Sequence, residues 1–591
     1  LSTRSQPCKR ALFAVLALLA LAAGCRSAPQ PVTKIVGNRV VVTRSVSPHA
    51  YEHVTRALLL EREDRLEEAA SELQRALSYD QDAPEVHARL GEIFIRLDRL
   101  DDAAEQIQRS LAIESTVDGL VARAHLQTRR GRPADAVKTL GEAAELVSFD
   151  TEPDQAESVF LERAEAQLAA MDVAGARATL ESLLGHLTTS ENGLFRLAAL
   201  EWALGNMKPA DLYLGRIIEI DPDNLDTLLV RAWLHVALDD RAKARALFKQ
   251  ALDRSERSVD VAVLYARWLV ATNHLQEARA LADDLAAGEI DDSDLMDLME
   301  LERTVKRPER ALELAQNLGK GDPPPAVVGR AQLAQGAILA AMDRDRDALA
   351  AFNEVPAEAP EYHDARLRAV ALLRESGNTT LALKLLDEIE SKGVDDAVAI
   401  AMGISRAQVQ ERAGDAARAL RTLDLLSRDH PDSVQIALTR AAIEERRGNW
   451  KQALVIVESI LARHPSNPEA LNFWGYTAAD HSHRLPEALA RTQAALVFEP
   501  ATAAVLDSAG WALFRSGRTQ EAQAFLDQAI NLEPEDPELL GHLAEVLEAR
   551  GHKQMALATL KKALGLDPEE RVRKSLEQKL RQLEAREAAG R

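Results

Sequence analysis

The side chains with the strongest claim to chemistry stand together at Asp480-His481-Ser482-His483. Alternate histidines beside a carboxylate could bind zinc in a loop if further ligands converged on them. No matching second His or Cys group is visible, so the reading adopted is a polar loop between helices. The sequence has no G-x-x-x-x-G-K-[ST] phosphate loop, no H-E-x-x-H pair and no G-x-S-x-G nucleophile elbow. Its 93 acidic residues are spread beside 72 basic ones, the pattern of solvated i,i+4 pairs and not of acid–base dyads. Asp291, Asp292 and Asp294 make a small acidic loop, read as solvated. Cys8 and Cys25 are the only cysteines, which excludes a disulfide scaffold and a Cys-rich zinc domain. No catalytic residue, metal site or cofactor is expected, and the chain reads as a non-enzyme.

The elements that would position any site must then be sought in the whole chain. Its 591 residues would make about four domains at ~150 residues each. Apolar residues reach 46%, enough for a globular core, while aromatics at 4% argue against a large all-β protein. The net charge of −21 argues against nucleic acid, whose phosphates need clustered Lys and Arg. Composition alone does not choose between several unlike domains and one long repeat array.

The first 51 residues contain no Asp or Glu. Arg4, Lys9 and Arg10 precede an apolar run at 11–23, thirteen residues long. A bilayer span needs about 20, so the run fits a secretory signal better than a transmembrane helix. It ends Leu21-Ala22-Ala23-Gly24-Cys25, which resembles the lipobox of bacterial lipoproteins. That resemblance implies a signal at 1–24, lipidation of Cys25 and stable anchoring by more than one acyl chain. Ala22 stands where Leu is commoner, and Arg26 in place of Asp implies outer-membrane sorting. An ordinary cleaved signal with a chance cysteine is the alternative. Residue 1 is Leu; a non-AUG start read literally or a truncation would each account for it. Residues 25–49 read as an anchor and basic tether, with Lys34, Arg39 and Arg44 favourable beside an anionic membrane. Within it Val40-Val41-Val42-Thr43 is β-prone. A disordered linker and an extended segment docked on the first helices both fit.

From residue 50 the chain repeats itself, the property to test first in a long helical sequence. One alanine recurs at Ala69, Ala103, Ala136, Ala176, Ala210, Ala244, Ala278, Ala311, Ala348, Ala382, Ala419, Ala453, Ala488, Ala522 and Ala556. Eight of the fourteen intervals are 34 residues, three lie within one of that, and the others are 40, 37 and 37. Twelve residues earlier a second small residue usually stands, such as Ala57, Gly91, Ala198 and Gly510; Met299 and Val370 break the rule, and Gly475 sits thirteen before. Each unit reads as two amphipathic helices joined by a turn, where Gly131, Gly205, Gly377, Gly414, Gly448, Gly517 and Gly551 suit a helix C-terminus. Pro222, Pro431, Pro465, Pro500, Pro534 and Pro568 end second helices. Asp322-Pro323-Pro324-Pro325 interrupts the rhythm as a candidate joint between halves.

This pattern resembles the tetratricopeptide repeat (TPR). The resemblance implies an all-α fold, a right-handed α-solenoid of about fifteen TPR helix pairs with a C-terminal capping helix. The expected division is a TPR block at 50–320, a second at 321–568, and the Arg-, Lys- and Glu-rich cap and tail at 569–591. "LNFWGYTAADHSHRLPEAL" and "LDSAGWALFRSGRTQEA" further resemble a bacterial family of large TPR proteins, many of them lipoproteins. An extra residue before Ala488 fits that family's longer inter-helix loop.

In TPR arrays the first helices line a concave surface that takes peptides or partner helices. Carried onto this chain, the groove-facing offsets fall on Asn472, Tyr476, Asp507, Trp511, Phe514, Arg515, His542, Glu545 and Glu548. Aromatics beside polar groups have the composition of recognition hot spots. Trp511 and Phe514 could instead pack internally between units. Asp507, Glu545 and Glu548 make the face acidic, favouring basic or neutral partners over an acidic peptide C-terminus. The resemblance thus implies a lipid-anchored periplasmic scaffold that binds envelope proteins, of the kind used in pilus or secretin assembly or polysaccharide export. A passive envelope spacer is the alternative, with a hydrolase last. No nucleic acid or small-molecule substrate is expected.

Overall fold

The computed structural model describes residues 31–36, 39–44, 47–288, 294–321, 323–390 and 394–589. Cys25, the apolar run at 11–23, and Asp291 and Asp292 lie outside the described residues. Two compact units form, one of the chain up to Gln127 with Thr139–Leu146, the other of Thr128–Lys138 with the chain from Val147 onward.

Thirty-one helices lie in the described residues, fifteen pairs and one more. Repeat 1 is Pro48–Arg62 with Leu66–Tyr79, and repeat 15 is Pro537–Ala549 with Lys553–Gly565, followed by the cap Glu570–Ala589. The fold is an α-solenoid of helix pairs. Its register is set by the recurrent alanine, which is 0% exposed at all fifteen positions. A methyl group there lets the two helix axes approach closely, and the residue four later fills the same face. Leu73, Ile107, Leu214, Phe248, Leu386 and Leu560 are accordingly buried. The partner small residue is equally constrained. A Cβ on Gly475 would stand 2.9 Å from the Ala488 carbonyl oxygen, so thirteen residues there span the same contact that twelve span elsewhere.

The turn between paired helices needs one residue with positive φ, which closes the helix end. Glycine supplies it at Gly205, Gly414, Gly448 and Gly517, with φ between 81° and 83°. Asp64, Asp98, Asp239, Asn273, Lys306 and Asp343 adopt φ between 55° and 65° at the same place. Asp and Asn tolerate this region, so the turn recurs where glycine does not. The extra residue before Ala488 is absorbed by two such residues, Ser482 at 52° and Arg484 at 48°. The long intervals have a second origin. Pro153–Ala169, Pro325–Ala341 and Asp396–Arg412 run 17 residues, whereas the first helices of repeats 5 and 6 run 13. The surplus is about one helical turn. Pro325 therefore opens a helix, in the first turn where proline is tolerated.

The first unit also holds a two-stranded antiparallel hairpin, Pro31–Val36 paired with Arg39–Arg44, with Pro31 opposite Arg44. The β-prone run at 40–43 is thus extended, as one strand of a hairpin, and not a disordered linker. Val32, Thr33, Ile35 and Val36 supply a second β-branched run, with Thr33 opposite Val42 and Ile35 opposite Val40.

In the second unit the array is not strictly one-dimensional. Repeat 5 (Glu191–Ala203, Met207–Ile220) and repeat 6 (Leu225–Ala237, Arg241–Arg254) share one apolar core with repeat 13 (Pro468–Asp480, Leu485–Phe498) and repeat 14 (Ala503–Arg515, Thr519–Leu532). Leu485–Phe498 packs on Glu191–Ala203, and Thr519–Leu532 on Leu225–Ala237. Second helices of late repeats thus seat against first helices of repeats eight earlier.

Candidate functional site

Three successive first helices and the cap converge at the C-terminal end. Tyr476 and Asp480 lie four apart on Pro468–Asp480. Asp507, Trp511 and Arg515 repeat that spacing on Ala503–Arg515, and Glu538, His542 and Glu545 follow on Pro537–Ala549. Such spacing puts each set on one helix face. Arg571, Ser575 and Lys579 make the matching stripe on the cap. Between them lies a cleft of about 390 Å³, lined by Tyr476, Asp480, Trp511, Arg515, Glu538, His542, Glu545, Arg571, Ser575 and Lys579.

Trp511 is its organising side chain. The indole is 4% exposed, and it both packs between repeats and borders the cleft. Its ring stacks on His542 with centroids 4.4 Å apart, and its N–H donates to Asp480 Oδ1 at 3.2 Å. The Arg515 guanidinium lies over the same indole, 5.6 Å from its centroid, and donates from Nη2 to Ser482 Oγ at 2.7 Å. Asp480 also faces Arg515 at 3.6 Å.

His542 is buried, and its Nδ1 meets both Asp507 carboxylate oxygens, at 2.8 and 2.9 Å. Burial disfavours the imidazolium, but the Asp507 charge and hydrogen bond outweigh it and raise the pKa above 6.5. Tyr476 lies 6.0 Å from the His542 ring. Burial pushes its phenol up, and Asp480 and Asp507 add to the rise, so the group stays neutral.

Of the sequence-predicted residues, Tyr476, Trp511, Arg515, His542 and Glu545 line the cleft. Asp507 lies behind it, beneath His542. Phe514 contacts Trp511 at 5.2 Å and packs on the apolar core. Asn472 is half-buried, outside the cleft lining. The expected acidic face is altered by its partners. Asp507 pairs with His542, Glu545 with Lys579, and Glu548 with Arg586 at 2.6 Å. The sequence marks the segment that holds Arg571, Lys579 and Arg586 as a charged capping helix, but does not single these residues out as part of the site. The spacing 571, 575, 579 was the signal that could have found them.

The Asp480-His481-Ser482-His483 run divides between two neighbours. Asp480 and Ser482 hold Trp511 and Arg515. His481 stacks on Trp450 at 4.6 Å, with His483 at 5.4 Å from the same ring. Among the described residues no three His, Cys, Asp or Glu side chains converge as a metal ion would require. Nor, among them, is any helix long and apolar enough to cross a membrane. A larger cavity of about 720 Å³ lies in the first unit, between the second helices of repeats 1 and 2, where Gln74, Gln106 and Arg109 meet His87 of the first helix Pro84–Arg96. His87 spends both ring nitrogens there on Gln106 and the Gln81 carbonyl.

Tetratricopeptide repeat models match residues 60–127, 235–300 and 513–580, and a second such model matches 404–468. Among solved structures, a tetratricopeptide repeat protein from Parabacteroides merdae is 16% identical, with TM-score 0.33, over 43% of this chain and 98% of that one. Yeast Tom70 is 14% identical, with TM-score 0.29, over 91% of this chain and 96% of its own. PilW, a type IV pilus biogenesis factor, is 18% identical, with TM-score 0.30, over 35% and 94%. No curated protein matches the chain.

Proposed function

We propose that this array of tetratricopeptide repeats is a protein-binding scaffold whose partner segment docks in the C-terminal cleft. Protein interaction is the general work of such repeats. The observation that carries the choice of site is Trp511, which borders the cleft and is held by His542 and Asp480 with Arg515 beside it. A rigid aromatic flanked by satisfied polar groups is a recognition anchor, because little side-chain entropy remains to be lost on binding. Arg571 and Glu538 present opposite charges at the rim, suited to a segment carrying both signs more than to a purely basic one. The reading is non-catalytic.

The cellular setting follows from the N-terminal residues. A basic start, a short apolar run and Cys25 in a lipobox-like context support anchoring at the outer membrane with the repeats in the periplasm. The scaffold would then position cell-envelope proteins, as in pilus, secretin or polysaccharide-export assemblies. Affinity recovery of the full chain from crosslinked membranes tests this directly. Envelope proteins should be recovered with the native chain and lost with Arg571→Glu. Equal recovery with both chains would remove the cleft from the account. A Cys25→Ser protein that still fractionates with the outer membrane would remove lipidation as the cause of anchoring.

A further inference from the structure

In an ordinary solenoid each repeat touches only its neighbours, and stability is close to a sum of local contributions. The seam between repeats 5–6 and 13–14 breaks that rule with side chains about three hundred residues apart in sequence. Trp202, 2% exposed, donates its indole N–H to Gln528 Oε1 at 3.0 Å. Gln528 is fixed in turn, donating from Nε2 to the Ala524 carbonyl at 3.0 Å. Asn531 Nδ2 donates to the Ala237 carbonyl at 3.0 Å. Ala237 ends a helix, where the last carbonyls lack intrahelical donors. The Arg196 guanidinium lies over Phe498 at 5.2 Å and also pairs with Glu165 of repeat 4. Around these contacts Leu496, Val497 and Phe525 are buried in the core that also holds Trp202, Leu197 and Leu234.

We infer that this seam is a clasp: repeats 5–6 and 13–14 open and close as one cooperative body, and the six repeats between them are held at a fixed span. Three features support it. The contact is apolar at its centre with its buried polar groups paired, so leaving any partner behind is costly. The approach is close, since even a Cβ on Gly205 would meet the Phe525 ring at 3.4 Å. The pairing also has a register, because Trp202 and Asn531 reach partners at a fixed repeat separation. Removing or inserting one repeat between 259 and 461 shifts that register, whereas the same change before repeat 4 leaves it intact. The inference stands on the seam and not on what the cleft binds.

Hydrogen exchange on the full chain tests it. Trp202→Ala should raise exchange in Glu191–Ala203 and in Thr519–Leu532 together, by about tenfold or more in each. Phe352→Ala, equally buried but in repeat 9 with a core of its own, should raise exchange only around its own repeats. Gln528→Leu keeps the bulk and removes the acceptor, and should give the same paired response in smaller measure. If Trp202→Ala prevents folding, Gln528→Leu decides alone. Exchange that rises in only one of the two segments overturns the clasp.

Discussion

Asp507 and His542 stand on the first helices of successive repeats, and both oxygens of the carboxylate meet one ring nitrogen of the imidazole, at 2.8 and 2.9 Å. His542 stacks in turn on Trp511, so the charge state of one histidine bears on the shape of the candidate binding surface.

That pair makes the C-terminal repeats pH-sensitive. The raised His542 pKa means that folding takes up a proton. The stabilisation is fully present below the unfolded value of about 6.5 and is lost as pH rises through the folded value. The groups facing His542 are Asp507, Trp511, Tyr476, Glu545 and Lys579, and Asp507 dominates. Protection of Pro537–Ala549 from exchange, corrected for intrinsic rate, should fall in the native protein as pH rises above about 6.5. Asp507→Asn should flatten that dependence; an unchanged slope contradicts the pairing.

The Trp511 indole separates packing from polar anchoring. Trp511→Phe removes the N–H donated to Asp480 and should cost about 1–2 kcal/mol. Trp511→Ala removes the buried ring as well and should cost about 3–5 kcal/mol. Denaturant unfolding followed in the C-terminal repeats distinguishes them, and a Trp511→Phe protein as stable as the native one would mean that the hydrogen bond contributes nothing.

At Gly448 the turn carries a strain that only glycine avoids. Its φ is 83°, and a Cβ there would meet nothing within 4 Å. Gly448→Ala should therefore destabilise by roughly 1 kcal/mol through backbone conformation alone. Lys306→Gly, at φ 58°, should be neutral or stabilising. Thermal unfolding of both variants reads the difference, and loss of stability in Lys306→Gly would contradict the assignment.

The cap acts as part of the core. Leu576 and Leu583 are buried against Leu540, Leu547 and Leu560. Leu583→Ala should cost about 2–5 kcal/mol, felt first as raised exchange in repeat 15. A cap serving only to solvate the last repeat would leave that exchange unchanged.

The sequence made the repeats legible for a physical reason. An alanine that must be fully buried at every helix crossing leaves a period that can be counted, and the turn glycines mark the same register. Tyr476, Trp511 and His542 were likewise reachable, because i,i+4 spacing on a known helix fixes a face. What was not legible depends on side chains meeting across large separations. Nothing near Trp202 announces Gln528, and a quasi-one-dimensional reading of the repeats had no place for that contact. The cap's Lys579 and Arg586 were seen as charge but not as partners, since the angle at which a last helix docks is set by packing of Leu576 and Leu583. The hairpin at 31–44 was half visible, as one β-prone run without its mate.

Docking of a partner protein in the C-terminal cleft can be read out by crosslinking in intact cells. A photo-crosslinking residue placed at Arg571, on the cleft rim, is compared in intact cells with one at Leu425, exposed on the second helix Ala416–Asp429. The account predicts a discrete crosslinked protein from position 571 that position 425 does not give and that Trp511→Ala abolishes. No adduct from position 571, or the same adduct from both positions, would contradict it.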